Sequence, residues 1–263
     1  MESPNILKLH NTKNPTVHDG LKGGYELKEN HIVYIKPKQT KTKELEFLHT
    51  FKESGFFNNY LYGNNENFTF IEEPYTGFGY PDLVFLAWNK KINKLWVEER
   101  NKLTLNDIKV AQHLYNSNTE KSLYSIAKEL GFSDRQIHNI LYKLYAAGIV
   151  EYKKDLWALK EIKNVFFIEK IVTIEAKLKN WRRALLQASS SEYFSSEVFT
   201  LFPDNIINEN LINSYSNTNV GIISYGQNYR IVKPANQKSL PITINGWLFN
   251  ELIGRILWRK KRN

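Results

Sequence analysis

An acid at a strand start and an acid–lysine pair on a second strand are the side chains of this chain best placed to do chemistry. Asp82 ends a glycine-rich turn, Gly79-Tyr80-Pro81-Asp82-Leu83-Val84, and Glu175 and Lys177 stand two apart in Thr173-Ile174-Glu175-Ala176-Lys177. Alternate residues of a β-strand share a face, so Glu175 and Lys177 point one way while Ile174 and Ala176 point the other. One of the pair can then hold a metal while its neighbour reaches an attacking water. Hard Mg²⁺, with Mn²⁺ as the alternative, takes a few carboxylate and carbonyl oxygens and retains several waters. Asp82, Glu175 and the carbonyl of Ala176 supply such a set beside a phosphodiester. Lys177 is the charged group that would orient or help deprotonate the water and stabilise the pentavalent phosphorus.

Short motifs carry weight only through their setting. Glu-x-Lys triplets are common in a chain with 36 Lys and Arg against 27 Asp and Glu, and a Pro-Asp pair often opens a turn. Here each motif borders a β-type apolar run, over 83–88 and 165–174. After Lys177 the spacing turns helical, with Trp181, Ala184, Leu185 and Ala188 at i, i+3, i+4 and i+7. A further helix is predicted over 42–54, its apolar stripe formed by Leu45, Phe47, Leu48 and Phe51. On the helical wheel Glu44 falls inside that stripe and Glu46 opposite, so Glu44 is the better third acid. Glu72-Glu73 compete, as does Trp96-Val97-Glu98-Glu99-Arg100, read as a strand about fifteen residues after Asp82. The last position of that rival is Arg, whose pKa is too high for it to serve readily as a base.

At Pro81-Asp82, Glu175-Ala176-Lys177, the 179–188 helix and a following strand over 197–202 closed by Pro203, the chain resembles the PD-(D/E)xK nuclease superfamily. The resemblance implies an α/β, restriction-endonuclease-like mixed central sheet flanked by helices, with metal on Asp82 and Glu175 and Lys177 catalytic. It also implies that Gln187 lines the cleft, and that Glu44 is brought from the first helix towards the metal. The tyrosine that follows that glutamine four residues later in several branches has its nearest counterpart at Tyr193, six later. In the simplest members a short connection joins the strands of the aspartate and the Glu-x-Lys; here about ninety residues intervene. The expected organisation is a discontinuous core, 1–100 and 161–263, with an inserted domain at 101–160.

The insert reads as a winged helix-turn-helix. Helical spacing runs over 105–114 and 123–130, then Gly131-Phe132-Ser133 turns the chain. Gly suits the left-handed residue after a helix, and Ser133 with Gln136 fits a capping box. A third helix over 134–147 buries Ile137, Ile140, Leu141 and Leu144, leaving Arg135, Gln136, His138, Asn139, Tyr142 and Lys143 for solvent or DNA. Residues 148–152 and 156–159 then read as a two-stranded wing around Lys153-Lys154-Asp155. Such a module places its last helix in the major groove, with Lys153 and Lys154 at phosphates; a trihelical protein-interaction domain is the other reading. Nine Lys and Arg against six Asp and Glu over 101–160 make it modestly basic.

Composition suits a nucleic-acid enzyme. A net charge of +9 and a pI near 9.4 favour a polyanionic partner, because counterion release drives binding. Zero cysteines exclude disulfides, cysteine-type zinc sites and thiol catalysis. Apolar runs are too short to span a bilayer, so no membrane partner and a cytoplasmic location are expected. Residues 1–24 read as partly irregular, 25–27 and 31–36 as a hairpin, 204–214 as helix, 220–225 and 229–232 as strands, and 247–258 as an amphipathic helix with a basic end. The expected function is Mg²⁺-dependent DNA hydrolysis, with a homodimer or two successive encounters needed to cut both strands. An RNA substrate stays open, as does a DNA-binding regulator or assembly protein whose nuclease-like core is silent.

Overall fold

A computed structural model of the chain describes residues 25–28, 31–34, 42–57, 67–77 and 79–262. The irregular character expected of 1–24, the turn at 29–30 and the hairpin's end at 35–36 lie outside those residues, as does Phe78. The first elements are β1 (Tyr25–Lys28) and β2 (His31–Tyr34), a two-stranded sheet, then α1 (Lys43–Lys52), β3 (Phe68–Glu72) and β4 (Leu83–Trp88). Next come α2 (Ile92–Leu95), α3 (Leu105–Ser117), α4 (Leu123–Leu130), α5 (Asp134–Ala146), β5 (Val150–Lys153) and β6 (Leu156–Leu159). The chain continues through β7 (Ile168–Ala176), α6 (Trp181–Ser189), β8 (Glu197–Pro203), α7 (Glu209–Tyr215), β9 (Gly221–Tyr225), β10 (Tyr229–Lys233) and α8 (Ile244–Arg262). The fold is therefore α/β, and among the described residues no helix is long and apolar enough to cross a membrane.

Two compact units divide these elements. The first takes in the described residues of Tyr34–Trp88 and Glu169–Pro241. It is built on a mixed six-stranded sheet of order β10-β9-β8-β7-β4-β3. β7, β8 and β9 run parallel, while β3–β4 and β9–β10 are antiparallel pairs. The start of β4 meets the end of β7, where Asp82 accepts from the Ala176 N–H, so these two neighbours also run antiparallel. Burial on both faces explains the continuous apolar run of β4. On one face Leu48 and Phe51 of α1, with Phe56 and Phe57, pack against Val172, Ile174, Phe199 and Leu201. On the other, Ala184 and Ala188 of α6 and Leu211 and Tyr215 of α7 pack against Val198, Phe202 and Ile222. Two small residues on α6 let that helix lie close to the sheet.

The second unit takes in the described residues of Glu26–Val33, Asn89–Ile168 and Ile242–Asn263. Helices α3, α4 and α5 lead into the β5–β6 hairpin here. Thr104 with Asp107 and Ser133 with Gln136 form capping boxes at the starts of α3 and α5, and Gly131 closes α4 at φ 69°. Lys154 and Asp155, both at positive φ, make the two-residue turn between β5 and β6, the geometry that matches strand twist. Lys121 adds a bridge to Trp157 on β6. The C-terminal helix α8 contributes Glu251, whose carboxylate binds the Arg100 guanidinium, with both side chains buried. Arg100 also donates to the Val165 carbonyl at 2.9 Å and stacks on Trp96 at 4.4 Å.

Two expectations are corrected. Residues 96–100 are not a strand, since Glu98–Lys102 is a 3-10 helix; Arg100 is drawn inward by Glu251, so the rival acid motif is an element of packing. The expected 204–214 helix is split into a 3-10 turn, Asp204–Ile206, and α7, because the Asn208 side chain caps the Leu211 N–H at 3.0 Å and starts a new helix.

Breaking a buried ion pair strands a charge, so Arg100→Ala is expected to cost about 3–5 kcal/mol. Pairing Arg100→Met with Glu251→Leu is expected to restore most of that loss. Urea denaturation of the three proteins measures both effects, and a mild Arg100→Ala phenotype would contradict the role given to the pair.

Candidate active site

Every polar group of the candidate site belongs to the first unit, and the end of β7 organises them. Ala176 packs in the core beneath α1, so strand alternation sends Glu175 to the opposite face. The Lys177 N–H donates to Leu201 on β8 at 3.0 Å, which extends the ladder one residue past the strand. Asp82 is delivered by the β3–β4 connection. In that turn the Thr76 N–H and hydroxyl both donate to Gly79 O, at 3.0 and 2.9 Å. Gly77 and Gly79 take φ of 79° and 143°, which a side chain would strain. The Glu73 N–H donates to the Asp82 carbonyl at 3.2 Å, and Tyr193 donates its hydroxyl to the Thr76 carbonyl at 3.1 Å.

These elements converge on the Lys177 ammonium. Its Nζ lies 2.7 Å from Glu175 Oε1, 2.9 Å from the Ala176 carbonyl and 3.4 Å from Asp82 Oδ2. Asp82 Oδ2 also accepts from the Ala176 N–H at 2.7 Å. Glu44, in the first turn of α1, stands 3.8 Å from Nζ with its side chain 43 % exposed, against 3 % for Glu175. The wheel reading of Glu44 thus brings it to the cluster's rim, while Glu46 is exposed.

Desolvation dominates the electrostatics. Burial, reinforced by the Asp82 charge, pushes the Glu175 carboxyl up to about 8, although Lys177 works against the rise. Burial likewise raises Asp82, opposed by Lys177 and the Ala176 N–H. For Lys177, burial alone would lower the pKa, but Asp82, Glu175 and Glu44 outweigh it and the net shift is upward. The ammonium is therefore held charged.

The Glu72–Glu73 pair divides. Glu72 is buried against Lys52 and stands 3.4 Å from His49. Glu73, at φ 48°, has its pKa raised by burial and then by Asp82 and Glu72, so it is the member that senses the site. Gln187 lies on α6 with its amide oxygen buried and without a hydrogen-bond partner; among the described residues no hydrogen bond joins it to Asp82, Glu175 or Lys177. Tyr193 acts on the loop carrying Asp82, through Thr76, a role the Gly-x-Gly spacing of that loop gave no means to foresee. In the second unit, Arg135, His138, Asn139 and Lys154 are exposed. Gln136 is engaged in its capping box, accepting from the Ser133 N–H at 3.0 Å. Lys143 stands 3.7 Å from Asp107, and Lys153 pairs with Glu151 at 2.9 Å.

Among the described residues no three His, Asp or Glu side chains converge as a ready-made metal cage. The donor set that does converge is two carboxylates and a backbone carbonyl, all hard oxygens gathered around one cationic point, which suits Mg²⁺ or Mn²⁺. The chain matches no protein-family model, no curated protein and no solved structure.

A carboxyl that holds its proton more tightly folded than unfolded costs stability as pH rises. With divalent cations chelated, the stability tied to Glu175 is complete below about 4.5 and is lost as pH climbs through about 8. The full loss is on the order of 5 kcal/mol. Glu175→Gln should flatten this slope, so that the melting temperature of the variant gains on the wild type between about pH 5 and about pH 9. Parallel curves for the two proteins would count against a raised Glu175.

Proposed function

We propose that the chain is a divalent-metal-dependent nuclease of the PD-(D/E)xK type, with Asp82, Glu175 and Lys177 at its centre. One observation carries the reading: Asp82 Oδ2, Glu175 Oε1 and the Ala176 carbonyl all lie within 3.4 Å of a single charged atom, Lys177 Nζ. Residues ninety-odd positions apart are brought together at the end of one strand, two of them carboxyl groups whose burial raises their affinity for protons. Asp82, Glu175 and the Ala176 carbonyl would hold Mg²⁺ or Mn²⁺, which when bound polarises a phosphoryl oxygen and lowers the pKa of water. The protein's own share is to fix those oxygens on β7 and β4, and to present Lys177 as a donor to charge that builds on the phosphate. Glu44 adds a carboxylate at the rim.

The arrangement of the first unit supports the same reading: a mixed sheet, a helix between parallel β7 and β8, and α1 on the opposite face. The second unit, in this view, is built around a winged helix-turn-helix. Its three capped helices, the β5–β6 hairpin and the Lys121–Trp157 bridge support that view. The exposed face of α5, with Arg135, His138 and Asn139, would contact DNA, and the hairpin tip would approach phosphates. One such centre cuts one strand, so double-strand cleavage calls for a homodimer or two encounters.

Plasmid nicking in Mg²⁺ tests the centre. Glu175→Ala and Lys177→Ala are each expected to slow cleavage by about 10²–10³-fold while DNA binding persists. Wild-type protein that binds DNA but cuts no DNA or RNA substrate would instead indicate a regulator with a silent core. For the second unit, Arg135→Ala or Asn139→Ala should relax sequence preference by about 1–3 kcal/mol at one base pair. Lys154→Ala should lower the salt slope of binding by about one. Unchanged binding by all three would remove α5 and the hairpin from the DNA interface.

A further inference from the structure

The position of the Lys177 ammonium has a consequence for metal loading that rests on the proposed nuclease centre. Nζ contacts Glu175 Oε1 at 2.7 Å, the Ala176 carbonyl at 2.9 Å and Asp82 Oδ2 at 3.4 Å. Those are the same three oxygens that form the hard-cation donor set. A lone pair already engaged by an ammonium N–H is not available to a divalent cation, and two cations cannot share so small a ring of oxygens without strong repulsion.

We propose that Lys177 is a built-in counterion that occupies the metal site in the cation-free protein, and that loading of Mg²⁺ or Mn²⁺ requires its ammonium to leave Glu175, Asp82 and the Ala176 carbonyl. The structure also supplies a partner for the displaced group. Glu44 Oε2 lies 3.8 Å from Nζ and is an acid outside the donor trio. Its side chain is 43 % exposed, so it can receive the ammonium at the solvent edge. Glu44 is thus assigned a positioning role: it steadies the lysine after exchange.

The exchange makes Lys177 the reporter of its own displacement. In the cation-free protein the amine is buried, with only 10 % of its side chain exposed, and ion-paired, so an amine-acylating reagent should modify it slowly. The full-length protein would be acetylated with and without saturating Mn²⁺. Modification at Lys177 would be read by peptide mass spectrometry, with Lys154 in the hairpin turn as an internal reference. Binding of Mn²⁺ would be followed separately by the loss of the free-ion paramagnetic resonance signal, in wild type and in Asp82→Asn.

The expected result is Mn²⁺ binding that Asp82→Asn abolishes, together with a several-fold rise in Lys177 acetylation and none at Lys154. Glu44→Gln should reduce Mn²⁺ affinity several-fold. Mn²⁺ binding that depends on Asp82 but leaves Lys177 acetylation unchanged or lower would overturn the exchange and spare the metal centre. Absence of Mn²⁺ binding by the wild type would overturn both.

Discussion

One ammonium balances the charge at the end of β7, and the geometry of the first unit's polar centre depends on that balance. Two carboxylates buried within hydrogen-bond reach of one cation would repel each other strongly if it were missing. Unit charges 4 Å apart interact by about 4 kcal/mol at an effective dielectric of 20. Lys177 Nζ between Glu175 and Asp82 turns that repulsion into two attractions. The same bond network fixes the backbone, since Asp82 also holds the Ala176 N–H at 2.7 Å. That contact ties the entrance of β4 to the exit of β7, where the two antiparallel strands meet.

The surrounding core makes such a centre tolerable. Beneath it, Phe51, Phe56 and Phe57 form edge-on and tilted pairs with centroids 5.2–5.6 Å apart, the arrangement the ring quadrupole favours. Those rings pack on Ile174 and Ala176 of β7, and α6 lays Ala184 and Ala188 on Val198 and Phe202 from the other face. With both faces of the sheet covered, burial is the largest cause of the raised affinity of Asp82 and Glu175 for protons. Tyr193 closes the connection from above by holding Thr76, so the turn that carries Asp82 is braced at both ends.

What could be read from the sequence was whatever depends on near neighbours. The 123–130 helix was given by its spacing to the residue, and Ser133 with Gln136 marked the start of α5, because caps and amphipathic stripes are local. The alternation of Glu175 with Ala176 and the wheel position of Glu44 are local too, and both bring their side chains to one cluster. Readings that rest on distant partners failed. Residues 96–100 look like a strand until Glu251, far along the chain, draws Arg100 inward. Strand β3 escaped notice because Phe68-Thr69-Phe70-Ile71 is buried on both faces and carries no period-two signal. Asn208 is a local cap, and it starts α7 inside the stretch whose spacing predicts one continuous helix. The choice of Glu175, Asp82 and the Ala176 carbonyl by Lys177 is a matter of rotamer and strand end, and no spacing encodes it.

Two buried ionic clusters in this chain differ in a way that bears on purpose. Arg100 and Glu251 match one charge with one charge, and the leftover groups are filled by the Val165 carbonyl and the Asn250 amide. A second guanidinium, Arg255, donates to the Arg100 and Leu103 carbonyls beside them, so that cluster is not short of positive charge. At the end of β7, three carboxyl groups, Asp82, Glu175 and Glu44, face a single ammonium, with Glu175 held towards its protonated form by burial. A fold selected for stability alone would lose little by replacing such acids with apolar side chains. Local rules are broken most often where chemistry is done, and pKa values driven away from their ordinary range by burial gather in such places. Lys177 offsets only part of that surplus of carboxyl groups at the end of β7.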